Sequence, residues 1–200
     1  YSDDLRRKLL GAYDRELGRI VEGLVVEAFK NEGFDPERTG RGSDFSATIA
    51  RGIDSDWEKQ DVGRLVFNSS YRGRSLTFLV EVKATREDSV RMSWLQGDTA
   101  AKNQNSYVLC VVDLHDEEDL SRQILLQDER TCDLISNCIR LVPSIGETLA
   151  VAVQNLSSAA TTSEPGIEVE KADEIRFRIL RSIWQQGRHL SEWARSVRGA

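Results

Sequence analysis

The chain opens with a helical pattern of hydrophobic positions. Apolar residues recur every three or four positions over residues 4–30, which is the period of an amphipathic helix, and Gly33 marks its end. The recurring positions are Leu9, Tyr13, Leu17, Val21, Leu24 and Ala28. A loop is predicted over residues 35–43, followed by a short strand at 44–49.

The remaining pattern mixes strands and helices. Residues 107–114 are almost all apolar, which predicts a strand covered on both faces of its sheet. The other predicted elements are strands at 65–67, 76–82, 167–169 and 175–179, a helix at 89–105, a helix from about 146, a loop at 157–166 and a closing helix up to 197. This order predicts an α/β or α+β fold, and 200 residues suit a single domain.

Composition excludes several classes of protein. With 40% hydrophobic and 30% charged residues, the chain can bury a core, so wholesale disorder is excluded. No run approaches the roughly 18 apolar residues of a membrane span, and no signal peptide is visible. Three cysteines without a CxxC pair predict a reduced, cytoplasmic protein, and two histidines supply a zinc enzyme or serine triad poorly. The absence of an initiator Met predicts a fragment of a longer protein.

The net charge of −6 is unevenly distributed. Residues 113–133 hold eight acids and two arginines, which accounts for the whole net charge of −6. Residues 171–200 hold seven basic residues against three acids, a net of +4. The arginines of the closing helix suit either a second DNA contact or an interface with another part of the protein. The overall acidity therefore does not argue against a nucleic-acid substrate.

The segment with the most chemistry is the end of the strand at 76–82. Glu81 and Lys83 project from the same face of that strand, because side chains alternate along it. Asp44 stands at the head of the preceding strand, after a glycine loop. If the two strands pair, Asp44 and Glu81 converge on one divalent cation, and carboxylates are ligands that Mg²⁺ prefers. Lys83 would then position or deprotonate an attacking water, or neutralise charge on the phosphate.

The long helix offers a third carboxylate. Glu22 falls inside the apolar arc of that helix, where an acid needs a partner, and a metal site is one candidate. Plainer interpretations stay open for each residue. Glu81 and Lys83 also suit an exposed ion pair at a sheet edge, Asp44 suits a turn or cap, and Glu22 suits a pair with an arginine.

The order of these residues resembles the PD-(D/E)XK nuclease superfamily, in which a helical acid and a strand acid precede Glu-x-Lys. The chain is more closely similar to the DUF3883 group, also called the protein NO VEIN C-terminal domain. The matching segments are 18–22, 40–44, 81–85, 93–96 and 107–112, within residues 15–114. Ser43 stands in place of the superfamily's proline, and residues 50–75 form an insertion. Residues 134–200 are predicted to extend the same domain.

The resemblance implies a restriction-endonuclease-like core with a central mixed sheet flanked by helices. It implies catalytic roles for Glu22, Asp44, Glu81 and Lys83, with Mg²⁺ or Mn²⁺ held by Asp44 and Glu81. Gln96 stands where the group often has Glu, and is predicted to be an accessory catalytic residue, although a surface amide is the plainer interpretation. Phosphate contacts are predicted for arginines that flank the site in sequence. They are Arg41, Arg86 and Arg91.

The function that follows is a Mg²⁺-dependent DNA endonuclease domain within a restriction or anti-phage defence protein. The expected partners are DNA and a fused or associated ATPase, helicase or other defence-system subunit, with no membrane. The first alternative is a catalytically inactive module of the same fold that binds nucleic acid or docks onto an ATPase. The second is a structural interaction domain, in which Asp44 and Glu81 would lie apart.

Overall fold

The computed structural model describes most of the chain. The described residues are 3–39, 43–50, 75–115, 120, 123–124, 131–157, 165–171 and 174–199. Arg41, the predicted strand at 65–67 and most of the acidic segment lie outside them. None of the helices in the described residues combines the length and the apolar character that a membrane-spanning segment requires.

Helices and strands alternate along the described chain. The helices are α1 (Asp3–Asn31), α2 (Trp94–Lys102), α3 (Thr131–Cys138), α4 (Ile145–Ser157), α5 (Arg181–Gln185) and α6 (Leu190–Gly199), with a 3₁₀ turn at Gln104–Ser106. The strands are β1 (Asp35–Arg38), β2 (Phe45–Ala50), β3 (Ser75–Thr85), β4 (Ser89–Ser93), β5 (Tyr107–Asp113), β6 (Ile139–Val142), β7 (Ile167–Lys171) and β8 (Ile175–Leu180).

The described strands form two sheets. Five strands make a mixed sheet in the order β1-β2-β3-β5-β6, in which only the central β3–β5 pair is parallel. The other three make a small antiparallel sheet in the order β4-β8-β7. The predicted mixed α/β architecture, with a central mixed sheet and flanking helices, is confirmed.

Strand β5 divides the core into two halves. Val108, Cys110 and Val112 point to the half that contains α1 and α6. Tyr107, Leu109 and Val111 point to the half that contains α4 and the small sheet. All six side chains are buried, so the prediction of a strand covered on both faces is confirmed.

Several predicted element boundaries are wrong. Residues 89–93 form strand β4 rather than the start of a helix, because its inner residues, Val90 and Met92, alternate with an exposed arginine in the period of a strand. Residues 35–38 form β1 rather than a loop, and an edge strand tolerates Pro36. The predicted closing helix is two helices, because Gly187 packs against the backbone of β6 between them. Strand β6 itself was not predicted.

Candidate active site

Asp44 lies where strands β2 and β3 separate. Their pairing ends at the partners Phe45 and Val80, and the Asp44 N–H donates to the Val80 carbonyl at 2.9 Å. Beyond this point the Asp44 side chain continues the hydrogen bonding to β3, because its Oδ2 accepts from the Val82 N–H at 2.6 Å. From there to its end, β3 pairs with β5 on its other side. The Asp44 carboxylate is therefore fixed beside the C-terminal part of β3, which carries Glu81 and Lys83.

Glu81 is a buried carboxylate with its two oxygens in different situations. Only 1% of the residue is exposed. Its Oε1 forms an ion pair with Lys83 Nζ at 2.6 Å and also accepts a hydrogen bond from Gln96 Nε2. Its Oε2 is buried and has no hydrogen-bond partner within the described residues. A buried anionic oxygen without a partner is energetically costly, so this atom favours a proton or a cation.

The electrostatics connect Glu81 to Asp44. Burial raises the pKa of Glu81 to about 7, although the Lys83 ammonium opposes the shift, and the charge of Asp44 raises the pKa further. Burial is also the main cause that raises the pKa of Tyr107, and the charges of Glu81 and Asp44 and a side-chain hydrogen bond with Glu81 raise it further. Burial raises the pKa of Cys110, again with a contribution from Asp44. The charge of Asp44 therefore acts on Glu81, and Asp44 Oδ2 accepts from the N–H of Val82, the residue that follows Glu81.

Gln96 connects the ion pair to the start of α2. Ser93 is the N-cap of that helix and Gln96 is its third residue, and together they form a capping box. The Gln96 N–H donates to Ser93 Oγ at 3.3 Å, and the Ser93 N–H donates to Gln96 Oε1 at 2.9 Å. The same Oε1 accepts from Lys83 Nζ at 3.4 Å. The structure thus brings Gln96 together with Glu81 and Lys83.

A cleft of about 320 Å³ opens beside Lys83. Its walls are Leu17 and Gly18 of α1, residues 83–87 and 89–91, and Leu114. Three cations, Lys83, Arg86 and Arg91, line it together with one acid, Glu87. The Arg86 guanidinium lies 5.6 Å from the centre of the Tyr13 ring, and Arg91 Nε pairs with Glu170 at 3.0 Å. The cleft is therefore basic in a chain of net negative charge.

Glu22 has a different partner. Its Oε1 lies 3.3 Å from an Arg38 guanidinium nitrogen, and 24% of its side chain is exposed. Among the described residues, no group of three or more His, Cys, Asp or Glu side chains gathers closely enough to hold a metal ion. Asp44 and Glu81 therefore remain the two candidate ligands, and a metal-supporting role for Glu22 stays a prediction.

Two residues of the site were missed in the sequence. Ser93 caps α2, and the Ser-x-x-Gln pattern from Ser93 to Gln96 is the signal that indicates such a cap. Tyr107 begins β5 and is fully buried near Glu81, and nothing in its sequence position distinguishes it from an ordinary core aromatic residue.

Comparison of the chain with family models, with curated proteins and with solved structures finds no match. What the site does is therefore inferred from the chemistry of its own residues. Those residues are an acidic pair, Asp44 and Glu81, a lysine that contacts Glu81, and a basic cleft beside that lysine.

Proposed function

We propose that the chain is a divalent-metal-dependent nuclease domain that hydrolyses phosphodiester bonds of DNA on a PD-(D/E)XK-like core. One observation carries the proposal. The buried Glu81 carboxylate keeps one oxygen without a partner within the described residues, while Gln96 and Lys83 hold the other, and of these residues Lys83 lines the basic cleft. An acid and an amine in this arrangement are costly to bury for structure alone.

The donor atoms of the site suit magnesium or manganese. Both ions prefer carboxylate oxygens completed by water, and Asp44 and Glu81 supply two carboxylates whose charges interact. The unpartnered Glu81 Oε2 is the atom that most needs a cation. A metal ion held by these two residues supplies Lewis-acid stabilisation of the phosphate charge.

The chain's own residues account for the rest of the reaction. Lys83 keeps 24% of its side chain exposed and lines the cleft, which supports a role for its ammonium in orienting water and neutralising charge on the phosphate. Gln96 keeps the Glu81–Lys83 pair in place. Arg86 and Arg91 border the same cleft, which supports a role for both in binding the neighbouring phosphates. The superfamily resemblance implies products with 5′-phosphate and 3′-hydroxyl ends.

A plasmid-nicking assay on the full chain tests the proposal. Supercoiled DNA should be nicked with Mg²⁺ or Mn²⁺ and left intact in EDTA, and Lys83→Ala should lose the activity. Lys102→Ala is the matched control, because Lys102 pairs with Asp98 on the exposed surface of α2, and it should nick at the wild-type rate. Nicking that persists in EDTA, or in Lys83→Ala, would overturn the assignment.

A second candidate is an inactive module of the same fold that binds nucleic acid or docks onto an ATPase. Two observations favour it: Glu22 is engaged by Arg38, and the described residues gather no third carboxylate at the site. This candidate predicts DNA binding that is unchanged by EDTA, with no cleavage under any metal. In either case the resemblance suggests a place within a larger restriction or anti-phage defence assembly.

A further inference from the structure

The N-terminal turn of α2 and the Glu81–Lys83 pair share a single amide group. Gln96 Oε1 accepts from the Ser93 backbone N–H at 2.9 Å and from Lys83 Nζ at 3.4 Å. Gln96 Nε2 donates to Glu81 Oε1. The amide that completes the helix cap is therefore the amide that contacts the ion pair.

The chemistry of these partners permits one orientation of the amide. A backbone N–H and an ammonium can only donate, so both require the carbonyl oxygen of Gln96 to face them. An ionised carboxylate can only accept, so Glu81 requires the NH₂ group. The Ser93 N–H is the one backbone group among these three partners, and strand β4 holds it in place. It therefore determines which end of the Gln96 amide reaches Glu81.

The consequence falls on the free oxygen of Glu81. Lys83 and Gln96 both donate to Glu81 Oε1. The other carboxylate oxygen, Oε2, is then left without a partner within the described residues. If the amide were reversed, its carbonyl would face the carboxylate and repel it. The orientation of Gln96 thus decides how Glu81 is presented.

We propose that Ser93 is a positioning residue of the site, whose backbone N–H fixes the Gln96 amide and thereby holds Glu81 with Oε2 free for a cation. The cation itself rests on the function proposed above, whereas the hydrogen-bonded unit from Ser93 to Glu81 does not. Gln96 is the partner that contacts the candidate metal ligand, and Ser93 acts through it. Losing a partner that contacts a metal ligand typically changes metal affinity or activity by about 10- to 100-fold.

The backbone at Ser93 allows a sharp test. Its φ is −67°, which proline adopts without strain, and the preceding Met92 is in an extended strand, as a residue before proline must be. Ser93→Ala and Ser93→Pro both remove the hydroxyl, but only Ser93→Pro removes the N–H. The alanine variant is thus the matched control for the loss of the hydroxyl half of the cap.

Two measurements on the full chain read the result. The first is the NMR signal of the Gln96 side-chain amide, identified by its absence in Gln96→Ala. It should keep its wild-type shift in Ser93→Ala and move in Ser93→Pro. The second is the Kd for Mn²⁺ from isothermal titration. It should stay within about threefold of wild type in Ser93→Ala and rise by about 10- to 100-fold in Ser93→Pro and Gln96→Ala.

The outcomes separate this inference from the proposed function. If Ser93→Pro matches Ser93→Ala in both measurements, the positioning role is overturned. If the wild type binds no Mn²⁺ while the amide signal still moves only in Ser93→Pro, the metal-dependent function fails and the positioning role of Ser93 stands. If Ser93→Pro does not fold, hydrogen exchange of the Ser93 amide decides. It should be slow in the wild type and fast in Gln96→Ala, and equal rates would overturn the inference.

Discussion

At the scale of single residues, the strongest physical constraint is the charge on Glu81. Its pKa is raised to about 7 in the folded protein because the carboxylate is buried, against an ordinary value of 4.5. The folded state therefore binds this proton more tightly than the unfolded state does. The stabilising contribution is fully present below about pH 4.5 and is lost as the pH rises through about 7.

The first prediction concerns stability against pH without metal. In EDTA, the free energy of unfolding should fall between about pH 4.5 and 7, by about 1.4 kcal/mol for each unit of pKa difference. Glu81→Gln keeps the shape of the side chain without the titration, so its stability should lack this component. Urea unfolding of both proteins across this range measures the difference. Parallel pH curves for the two proteins would contradict the shifted pKa of Glu81.

The second prediction concerns Asp44 and the Val82 N–H. Asp44→Ala leaves that backbone donor without its partner and should lower the free energy of unfolding by about 1–3 kcal/mol. Asp44→Asn retains an acceptor oxygen in the same place and should cost less. Urea midpoints measure the energies, and hydrogen exchange at Val82 reports the bond directly. Equal losses in the two variants would mean that charge, rather than this hydrogen bond, gives Asp44 its structural role.

At the scale of elements, the sequence predicts what is local and periodic. The buried strand β5 follows from its unbroken apolar run, and the shared face of Glu81 and Lys83 follows from strand alternation. The Ser-x-x-Gln pattern indicates a helix start at Ser93, but the strand that precedes it does not follow from the sequence. Strand β4 is held by hydrogen bonds to β8, which lies more than 80 residues later in the chain, so its strand character depends on tertiary pairing.

For the site residues too, the sequence predicts local features but not the partners that tertiary packing brings to them. The sequence indicates that Glu22 on the apolar arc of α1 needs a partner, but not that β1 brings Arg38 to it. It places Gln96 on a helix, but the contact with Glu81 depends on where α2 begins. Spacing along the chain thus identifies residues that carry chemistry, and the packing of distant elements decides which of them meet.

The third prediction tests the packing of α4 against α2 and the 3₁₀ turn. A Cβ on Gly146 would lie 2.7 Å from the Ala100 carbonyl oxygen and 2.7 Å from the Gln104 Cα, which are backbone atoms and cannot rotate away. Gly146→Ala should therefore destabilise the protein by about 1–3 kcal/mol, the usual cost of overpacking. Thermal or urea unfolding measures the change.

The matched control for Gly146→Ala lies on α1. Gly23 is exposed in the interior of that helix, and nothing lies within 4 Å of the position its Cβ would take. Gly23→Ala should stabilise the protein by about 0.5–1 kcal/mol, because alanine loses less backbone entropy in a helix. A gain in both variants would mean that α4 does not approach α2 as closely as described.

At the scale of the whole molecule, charge is segregated. The net charge is −6, and the segment 113–133 alone accounts for it, while the cleft is lined by Lys83, Arg86 and Arg91 against Glu87. Outside that segment the chain carries no net charge, so a polyanion is attracted where basic side chains gather, as they do in the cleft. Binding at such a cleft depends on few phosphate contacts, and each contact releases counterions from the DNA.

The fourth prediction is the salt dependence of that binding. For about three phosphate contacts, the slope of log K against log salt should be about −2.7 on duplex DNA, since each contact contributes about −0.9. Arg91→Ala should make the slope less steep by about 1, because the half-exposed Arg91 can exchange its partner Glu170 for a phosphate. Fluorescence anisotropy in EDTA, from roughly 50 to 200 mM salt, measures both slopes.

Arg195→Ala separates the cleft from the other basic surface of the chain. Arg195 is exposed on α6, and its guanidinium donates to the Ser191 carbonyl. This hydrogen bond lies within one helix, so losing it breaks no bond between two elements. If DNA occupies the cleft, the slope of Arg195→Ala should equal that of the wild type. A loss of about 1 in Arg195→Ala with none in Arg91→Ala would instead assign binding to the closing helix. The cleft beside Lys83 would then not be the site that receives the DNA backbone, because the phosphate contacts would lie on another element.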